Sequence, residues 1–330
     1  MGPVSWSTWR PLTIADVLTL TTLVGEVEQA DRYGWHFDAA FLARWLDDPL
    51  IDLDGGSIAA FDGERMGAMG VLSARSAADP VHRMRYEGSV HPAYRGRGLG
   101  AAILSWAVHA APRLSSDHFP GHPLEVLCAI KEFDVPAAAL FSGHGFTPVR
   151  WLRTMTRSVD GPDLPPVLVP AGIEIVPYGL AREDSADLDE QVRVAKIVAF
   201  REHWGVTPTR PQMWRTLFVG PEFQPDLSPL ALDAATGEIV GLVITHLRTA
   251  ETAATGRRDA HVNNVGTLPQ ARGRGIGSAL MATMVLAAHE HGFDTSSLAV
   301  DSANATGALS LYDKAGFVVT GTWVTYARAF

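Results

Sequence analysis

Residues 271–280 read ARGRGIGSAL, and residues 94–102 read YRGRGLGAA. Each stretch sets two arginines and three glycines ahead of an apolar run with helical spacing. Glycine is costly in a helix and loose elsewhere, so three in one loop need a reason. Without Cβ atoms the backbone can press against a ligand and turn several N–H groups toward it. A helix starting there adds free N–H groups and the positive end of its dipole. Arginine suits phosphate oxygens geometrically. The chemistry these residues offer is a pyrophosphate cradle at a helix N-terminus. Arg95, Gly96, Arg97, Gly98, Leu99, Gly100 and Ala101 form it in one copy; Arg272, Gly273, Arg274, Gly275, Ile276, Gly277 and Ser278 form it in the other. A glycine-rich turn with solvated arginines is the plainer reading of either copy alone, since short glycine motifs match by chance. The second copy shifts the balance toward the cradle.

The elements around the two loops repeat as well. A gapless offset superposes 90–104 (VHPAYRGRGLGAAIL) on 267–281 (TLPQARGRGIGSALM), and 133–146 aligns with 304–317. Residues 66–74 and 239–247 read as strands, as do HRMRYEGSV and AHVNNVGTL, which feed the loops. Helices follow, with Ile103, Leu104, Ala107, Val108 and Ala111 on one face and Leu280, Met281, Met284, Val285 and Ala288 on the other copy's face. Pro112 and Gly292 are the expected stops. LEVLCAI and SLAVDS read as buried strands, and each half closes with a short helix, a Gly-Phe turn and strand pairing. The expected fold class is α/β with a mixed sheet, one unit used twice. The halves are expected at 1–157 and 173–330, joined by a linker at 158–172 that carries four prolines. A Rossmann dinucleotide site fits poorly, because each loop lies deep within its half, after several strands. The C-terminal copy also puts Ser278 at the third small position.

Composition narrows the partners. A chain of 330 residues, 47% hydrophobic and 19% charged, suits two globular domains. A net charge of −9 argues against a nucleic acid or an anionic membrane surface as partner. Cys128 is the only cysteine, so no intrachain disulfide can form and the cytoplasm is the default compartment. Its apolar strand favours a structural thiol over an acyl-enzyme nucleophile. Residues 1–17 lack the layout of a signal peptide, and no apolar run is long enough to span a membrane. No His/Cys cluster has metal-ligand spacing and no nucleophile elbow occurs.

The loops resemble the acyl-CoA motif of the GCN5-related N-acetyltransferase (GNAT) family, which is Arg or Gln, two residues, Gly, one residue, then Gly or Ala. Arg95, Gly98 and Gly100 match it, as do Arg272, Gly275 and Gly277. The family's later motif is matched by Asn304, Leu311, Tyr312, Gly316 and Phe317. The tandem layout is similar to actinobacterial tandem acetyltransferases, one of them encoded in an antibiotic-biosynthesis cluster. The resemblance implies two acyl-CoA transferase domains, each with a V-shaped opening between its central strands. Pantetheine would pair there with backbone around Ser89 and Val90, or Gly266 and Thr267, and the loops would hold the pyrophosphate of acetyl-CoA.

The resemblance also places the Tyr312 hydroxyl near the CoA sulfur, as the acid; a half-buried structural tyrosine is the alternative. Phe141 stands at that position in the N-terminal half and Phe133 replaces the Asn. Family members often use a Glu on the strand before the loop as base. The aligned residue in the C-terminal half is roughly His261, followed by Asn263 and Asn264. His261 has a suitable intrinsic pKa, and a histidine at a strand edge is the equal alternative. Glu87 lies on the corresponding strand of the N-terminal half, as a base or as a solvated strand residue. His203 and Trp204 read as core packing, or as neighbours of the acceptor. The expected function is transfer of an acetyl group from acetyl-CoA to the amine of a small molecule, by direct attack in a ternary complex, in the C-terminal half of a monomer or homodimer. The runner-up is an acetyl-CoA-binding or scaffold protein with vestigial acyl transfer.

Overall fold

A computed structural model describes residues 8–78, 80–204, 206–303 and 307–330. Asn304 and the first seven residues of the N-terminal stretch lie outside them. Two compact units emerge: unit 1 ends at Arg150 and takes in Trp323–Phe330, and unit 2 is Trp151–Thr322.

Unit 1 contains β1 (Thr8–Arg10), α1 (Val17–Asp31), α2 (Ala39–Leu46), α3 (Leu53–Gly56), β2 (Ser57–Asp62), β3 (Arg65–Ser73), β4 (His82–Val90), α4 (Leu99–His118), β5 (Leu124–Lys131) and α5 (Val135–Gly143). Strand β6 (Thr147–Ser158) leads into unit 2. There follow β7 (Ile173–Pro177), α6 (Tyr178–Asp184), α7 (Leu188–Phe200), α8 (Pro211–Met213), β8 (Pro229–Asp233), β9 (Ile239–Leu247), α9 (Thr249–Thr255), β10 (Asp259–Thr267), α10 (Ile276–Glu290), β11 (Thr295–Asp301) and α11 (Ala308–Lys314). Strand β12 (Val318–Ala329) runs on into unit 1.

Strand pairing is mixed in both units. The order in unit 1 is β1-β2-β3-β4-β5-β12, with β4 and β5 parallel and the other pairs antiparallel. Unit 2 has β7-β8-β9-β10-β11-β6, with β10 and β11 the parallel pair. The strand beside β5 is therefore Trp323–Ala329 of β12, and the one beside β11 is Leu152–Ser158 of β6. Simple halves split at 157 and 173 do not coincide with these units. Alternation marks a strand as half-buried but does not name its partner.

Each sheet is covered on both faces. In unit 1, Leu104, Ala107, Ala111 and Leu114 of α4 pack on Met84 and Val126, while Leu20 and Leu23 of α1 pack on Ala59, Met69 and Val71. In unit 2, Leu280, Met281, Met284, Val285 and Ala288 of α10 cover Ala260, Val262 and Leu298, and Leu188, Val192 and Ala195 of α7 cover Leu230, Leu242 and Ile244. The faces of α4 and α10 are the ones that the spacing predicts.

Pro112 does not stop its helix; α4 continues to His118 with the proline inside. The ring removes one backbone hydrogen bond. Burial of Ala111, Leu114 and Ser115 keeps the remaining turns in place. Gly292 behaves as expected, at φ +69 just beyond α10, where Phe293 N–H reaches back to Ala288 O at 3.0 Å. The proline-rich segment touches unit 2 near both ends and at Leu164, while residues 166–169 are exposed. Val159 is buried in the core, Leu164 packs against it, and Ala171 O accepts from Arg274 at 3.2 Å.

Candidate active site

The parallel pair of each sheet comes apart partway along. In unit 1 the ladder joins His82–Arg85 to Leu124–Leu127 and ends there, although β4 continues to Val90 and β5 to Lys131. In unit 2 it joins Asp259–Val262 to Thr295–Leu298, while β10 continues to Thr267 and β11 to Asp301. Each diverging edge leaves a row of backbone N–H and C=O groups outside the ladder, as an extended ligand would need for strand-like pairing. Val90, Ser89, Gly266 and Thr267 all lie on these edges. On its other side β10 stays paired to β9, but Asn263 is an extra residue between Val262 and Asn264. Such a bulge bends a strand and re-aims its neighbours. The corresponding pairing of β4 with β3 is unbroken from Arg85 to Val90.

At the end of each opening the glycine loop starts a helix. Gly98 at φ +83 and Gly275 at φ +86 occupy the N-cap positions, in left-handed backbone that disfavours any side chain. Neither helix has a side-chain cap. The first intrahelical donors are Ala102 and Ala279, to Gly98 O and Gly275 O. That leaves the N–H groups of Leu99, Gly100 and Ala101, and of Ile276, Gly277 and Ser278, without helical partners. A Cβ on Gly96, Gly98 or Gly273 would meet nothing within 4 Å, and one on Gly275 only Pro170 Cγ at 3.9 Å. Open space in front of uncapped helix N-termini fits a diphosphate.

The arginines divide into two kinds. Arg95 donates to Val90 O at 3.2 Å and to both carboxylate oxygens of Asp31, at 2.6 and 2.7 Å. Arg272 repeats this with Thr267 O at 3.3 Å, Glu202 at 2.9 Å and Ala199 O at 3.2 Å. These two arginines brace the loop against α1 or α7 through partners the chain itself supplies. Arg97 and Arg274 make single backbone contacts, with Ala93 O and Ala171 O, both at 3.2 Å.

Tyr312 is on α11, only 8% exposed, with its ring edge-on to Phe317. Burial pushes its phenol up to about 12, so it stays protonated through the neutral range. Phe141 takes the corresponding place in unit 1, packed among Tyr86, Phe146 and Tyr326. Tyr86 is a residue that the sequence did not single out. Its hydroxyl lies 2.3 Å from where a Cβ on Gly88 would stand, so Gly88 makes room for it beside the opening.

His261 is buried and both ring nitrogens are engaged. Arg248 contacts Nε2 at 2.8 Å and Ser297 Oγ contacts Nδ1 at 2.9 Å. Arg248 can only donate, so Nε2 carries the lone pair and Nδ1 the proton. Burial, then Arg248 and His246, hold the ring's pKa well below its ordinary value. His246 is likewise engaged, by Asn263 Nδ2 at 2.7 Å and Phe218 O at 3.1 Å. Register shows that His261 faces His246, whereas Asn264 faces Ile244 and Glu87 faces Val71. At the offset that superposes Arg95 on Arg272, Glu87 falls on Asn264. Burial pushes the Glu87 carboxyl up, against the pull of Arg85 and Arg75, yet 36% of its side chain is open to solvent. His203 is half-buried against Phe200, at 4.7 Å between ring centroids, and burial lowers its pKa. Cys128 is buried, with its thiol pushed up by burial.

The acetyltransferase (GNAT) family model matches residues 192–317. Among curated relatives, a mycothiol acetyltransferase of Salinispora arenicola is 30% identical over 97% of this chain and 94% of its own. A second, from a Nocardioides species, is 34% identical over 72% of this chain and 79% of its own. Among solved structures, a GCN5-related N-acetyltransferase from Sphaerobacter thermophilus aligns over 98% of this chain and 95% of its own, with TM-score 0.75 and 23% identity. The tandem GNAT protein from the clavulanic acid biosynthesis pathway aligns over 98% of both chains, with TM-score 0.71 and 18% identity. The cradles, the diverging parallel strands and these likenesses agree: the chain belongs to the GNAT family of acetyltransferases, in a tandem form resembling the mycothiol acetyltransferases, and acetyl-CoA is its acetyl donor.

Proposed function

We propose that unit 2 transfers the acetyl group to the amine of a small molecule, by direct attack while both substrates are bound. The observation that carries this reading is the coincidence, in unit 2, of the bulged open edge of β10, an uncapped cradle at its end and the buried phenol of Tyr312. The relatives' name puts molecules of the mycothiol type among the acceptors to be tried.

Acetyl-CoA supplies a thioester carbonyl. The chain's own groups do the rest. The edge of β10 and the N–H groups of Ile276, Gly277 and Ser278 hold amine and thioester in register, and such positioning accounts for much of the acceleration in two-substrate transfers. A backbone N–H on the open edge of β10 would stabilise charge developing on the carbonyl oxygen. Tyr312 donates its proton to the departing sulfur, and the proton that the nitrogen sheds as the amide forms passes to solvent, from which the phenol is reprotonated. Because Arg248 occupies the Nε2 lone pair of His261, we assign this histidine to holding the β9–β11 face, and the amine must enter already neutral. We read unit 1 as a unit that binds acyl-CoA, because Phe141 offers no proton and β4 has no bulge.

Free-thiol release in the presence of a panel of primary amines tests the reading. Gly275→Val should abolish amine-dependent release, and Gly98→Val should leave it largely intact. The opposite pattern would move catalysis to unit 1.

A further inference from the structure

On the α7 side of β10, the side-chain carbonyl of Asn264 is buried and has no hydrogen-bond partner among the described residues. A buried acceptor left unpaired is costly, and such atoms in a folded protein call for a reason. Three observations give its place. Asn264 directly follows the bulge at Asn263, on the stretch of β10 that has left β11. It stands across from Ile244, which packs with Val192 and Ala195 of α7. Two residues on, a Cβ at Gly266 would lie 2.9 Å from the Phe200 ring and 3.0 Å from Ala199, so α7 closes over this same face. Its sequence neighbour Asn263 turns its Nδ2 to His246 Nδ1 instead, at 2.7 Å.

We propose that Asn264 positions the acceptor, its Oδ1 accepting a hydrogen bond from an N–H of the attacking amine. This rests on the reading that unit 2 takes acetyl-CoA. An amide oxygen can only accept, so the group that satisfies it must bring a donor. A primary amine brings two N–H groups when neutral, one for Asn264 and a lone pair left to face the thioester. Asn264 takes no proton. The corresponding residue of unit 1, Glu87, is a carboxylate and differs in this respect. The two units thus hold unlike groups at one strand position: an amide acceptor in unit 2 and a titratable carboxyl in unit 1.

Two CoA adducts test the proposal without turnover: CoA–S–CH2–CO–NH–CH3 and its ester counterpart CoA–S–CH2–CO–O–CH3. They differ only by the N–H at the place of the attacking nitrogen. Dissociation constants are measured by calorimetry in a Gly98→Val background, so that unit 2 alone is read. The amide should bind about five- to tenfold more tightly than the ester, and Asn264→Leu should remove that preference while binding the ester normally. Asn264→Ala serves the same purpose should the leucine variant not fold. A preference that survives both substitutions overturns the proposal. Equal weakening of amide, ester and acetyl-CoA also overturns it, and assigns Asn264 to the pantetheine arm. If neither adduct binds the Gly98→Val protein with Asn264 intact, the failure belongs to the reading of unit 2.

Discussion

A single methyl group separates a strained loop from a ligand-binding loop. Gly275 caps α10 at φ +86, and Gly237, in the turn between β8 and β9, stands at φ +74. Holding a residue with a side chain in left-handed backbone costs about 1–2 kcal/mol. The nearest atom to a Cβ at Gly275 is Pro170 Cγ at 3.9 Å, an ordinary contact, and at Gly237 nothing lies within 4 Å. Gly275→Ala and Gly237→Ala should therefore destabilise unit 2 alike, lowering Tm by about 3–6 °C for a unit of this size. Their effects on ligand should differ. At Gly275 the methyl occupies the space in front of the uncapped N–H groups. Displacing a phosphate from two such charge-assisted bonds, each about 1.5–3 kcal/mol, should weaken CoA binding by a hundredfold or more. At Gly237 affinity should not change. Thermal unfolding and calorimetry on the two variants read both quantities. Matching losses of Tm with CoA affinity retained in both would refute the cradle.

Other consequences follow from buried charges. Lys196 is 7% exposed, donates to Thr209 Oγ1 at 2.7 Å and lies 4.2 Å from the centre of the Phe218 ring; burial holds its ammonium down to about 8 from an ordinary 10.5. The fold carries that charge at a cost below pH 8, so Lys196→Met should raise stability at pH 7 by about 1–3 kcal/mol, with the gain fading between pH 8 and 10.5; an unchanged denaturation midpoint would contradict this. His82 is fully buried against Ser115, at 2.7 Å, and burial lowers its pKa from 6.5 to about 4. Its neutral form is the one the fold accepts, so stability present above pH 6.5 should be lost as pH falls toward 4, by up to about 3 kcal/mol, and His82→Gln should flatten that slope in acid titrations of Tm. Phe141→Tyr should leave acetyl transfer by unit 1 at background in a Gly275→Val protein, measured as amine-dependent thiol release.

Much of this architecture is legible in the residues themselves. The 3.6-residue spacing of Leu280, Met284 and Ala288 marks the face that α10 buries, and the paired glycine loops mark both cradles. What escaped reading depends on contacts between distant parts of the chain. Trp323–Ala329 and Leu152–Ser158 read as closing strands, and nothing local says that the first joins β5 and the second β11. Pro112 is a helix stop by its own chemistry, and only packing of the following turn on the sheet overrides it. The bulge at Asn263 is another such contact: one extra residue sets His261 across from His246, while on the loop side of it the gapless offset already puts Asn264, not His261, at the position of Glu87. No composition signal marks that insertion. Tyr86 carries no local signal, because its proximity to the opening depends on a glycine two residues later on the same face.

The central claim, that unit 2 performs the transfer with Tyr312 as acid, is tested most directly by Tyr312→Phe. Turnover of acetyl-CoA with a competent amine and the affinity for acetyl-CoA should be measured on the same preparation. The phenol is buried in the core of unit 2 but is not part of the cradle, so affinity should change little. Turnover should fall by about ten- to a thousandfold, a CoA thiolate being a fair leaving group even unaided. Full turnover by Tyr312→Phe, together with its loss in Gly98→Val, would place catalysis in unit 1 and contradict the account.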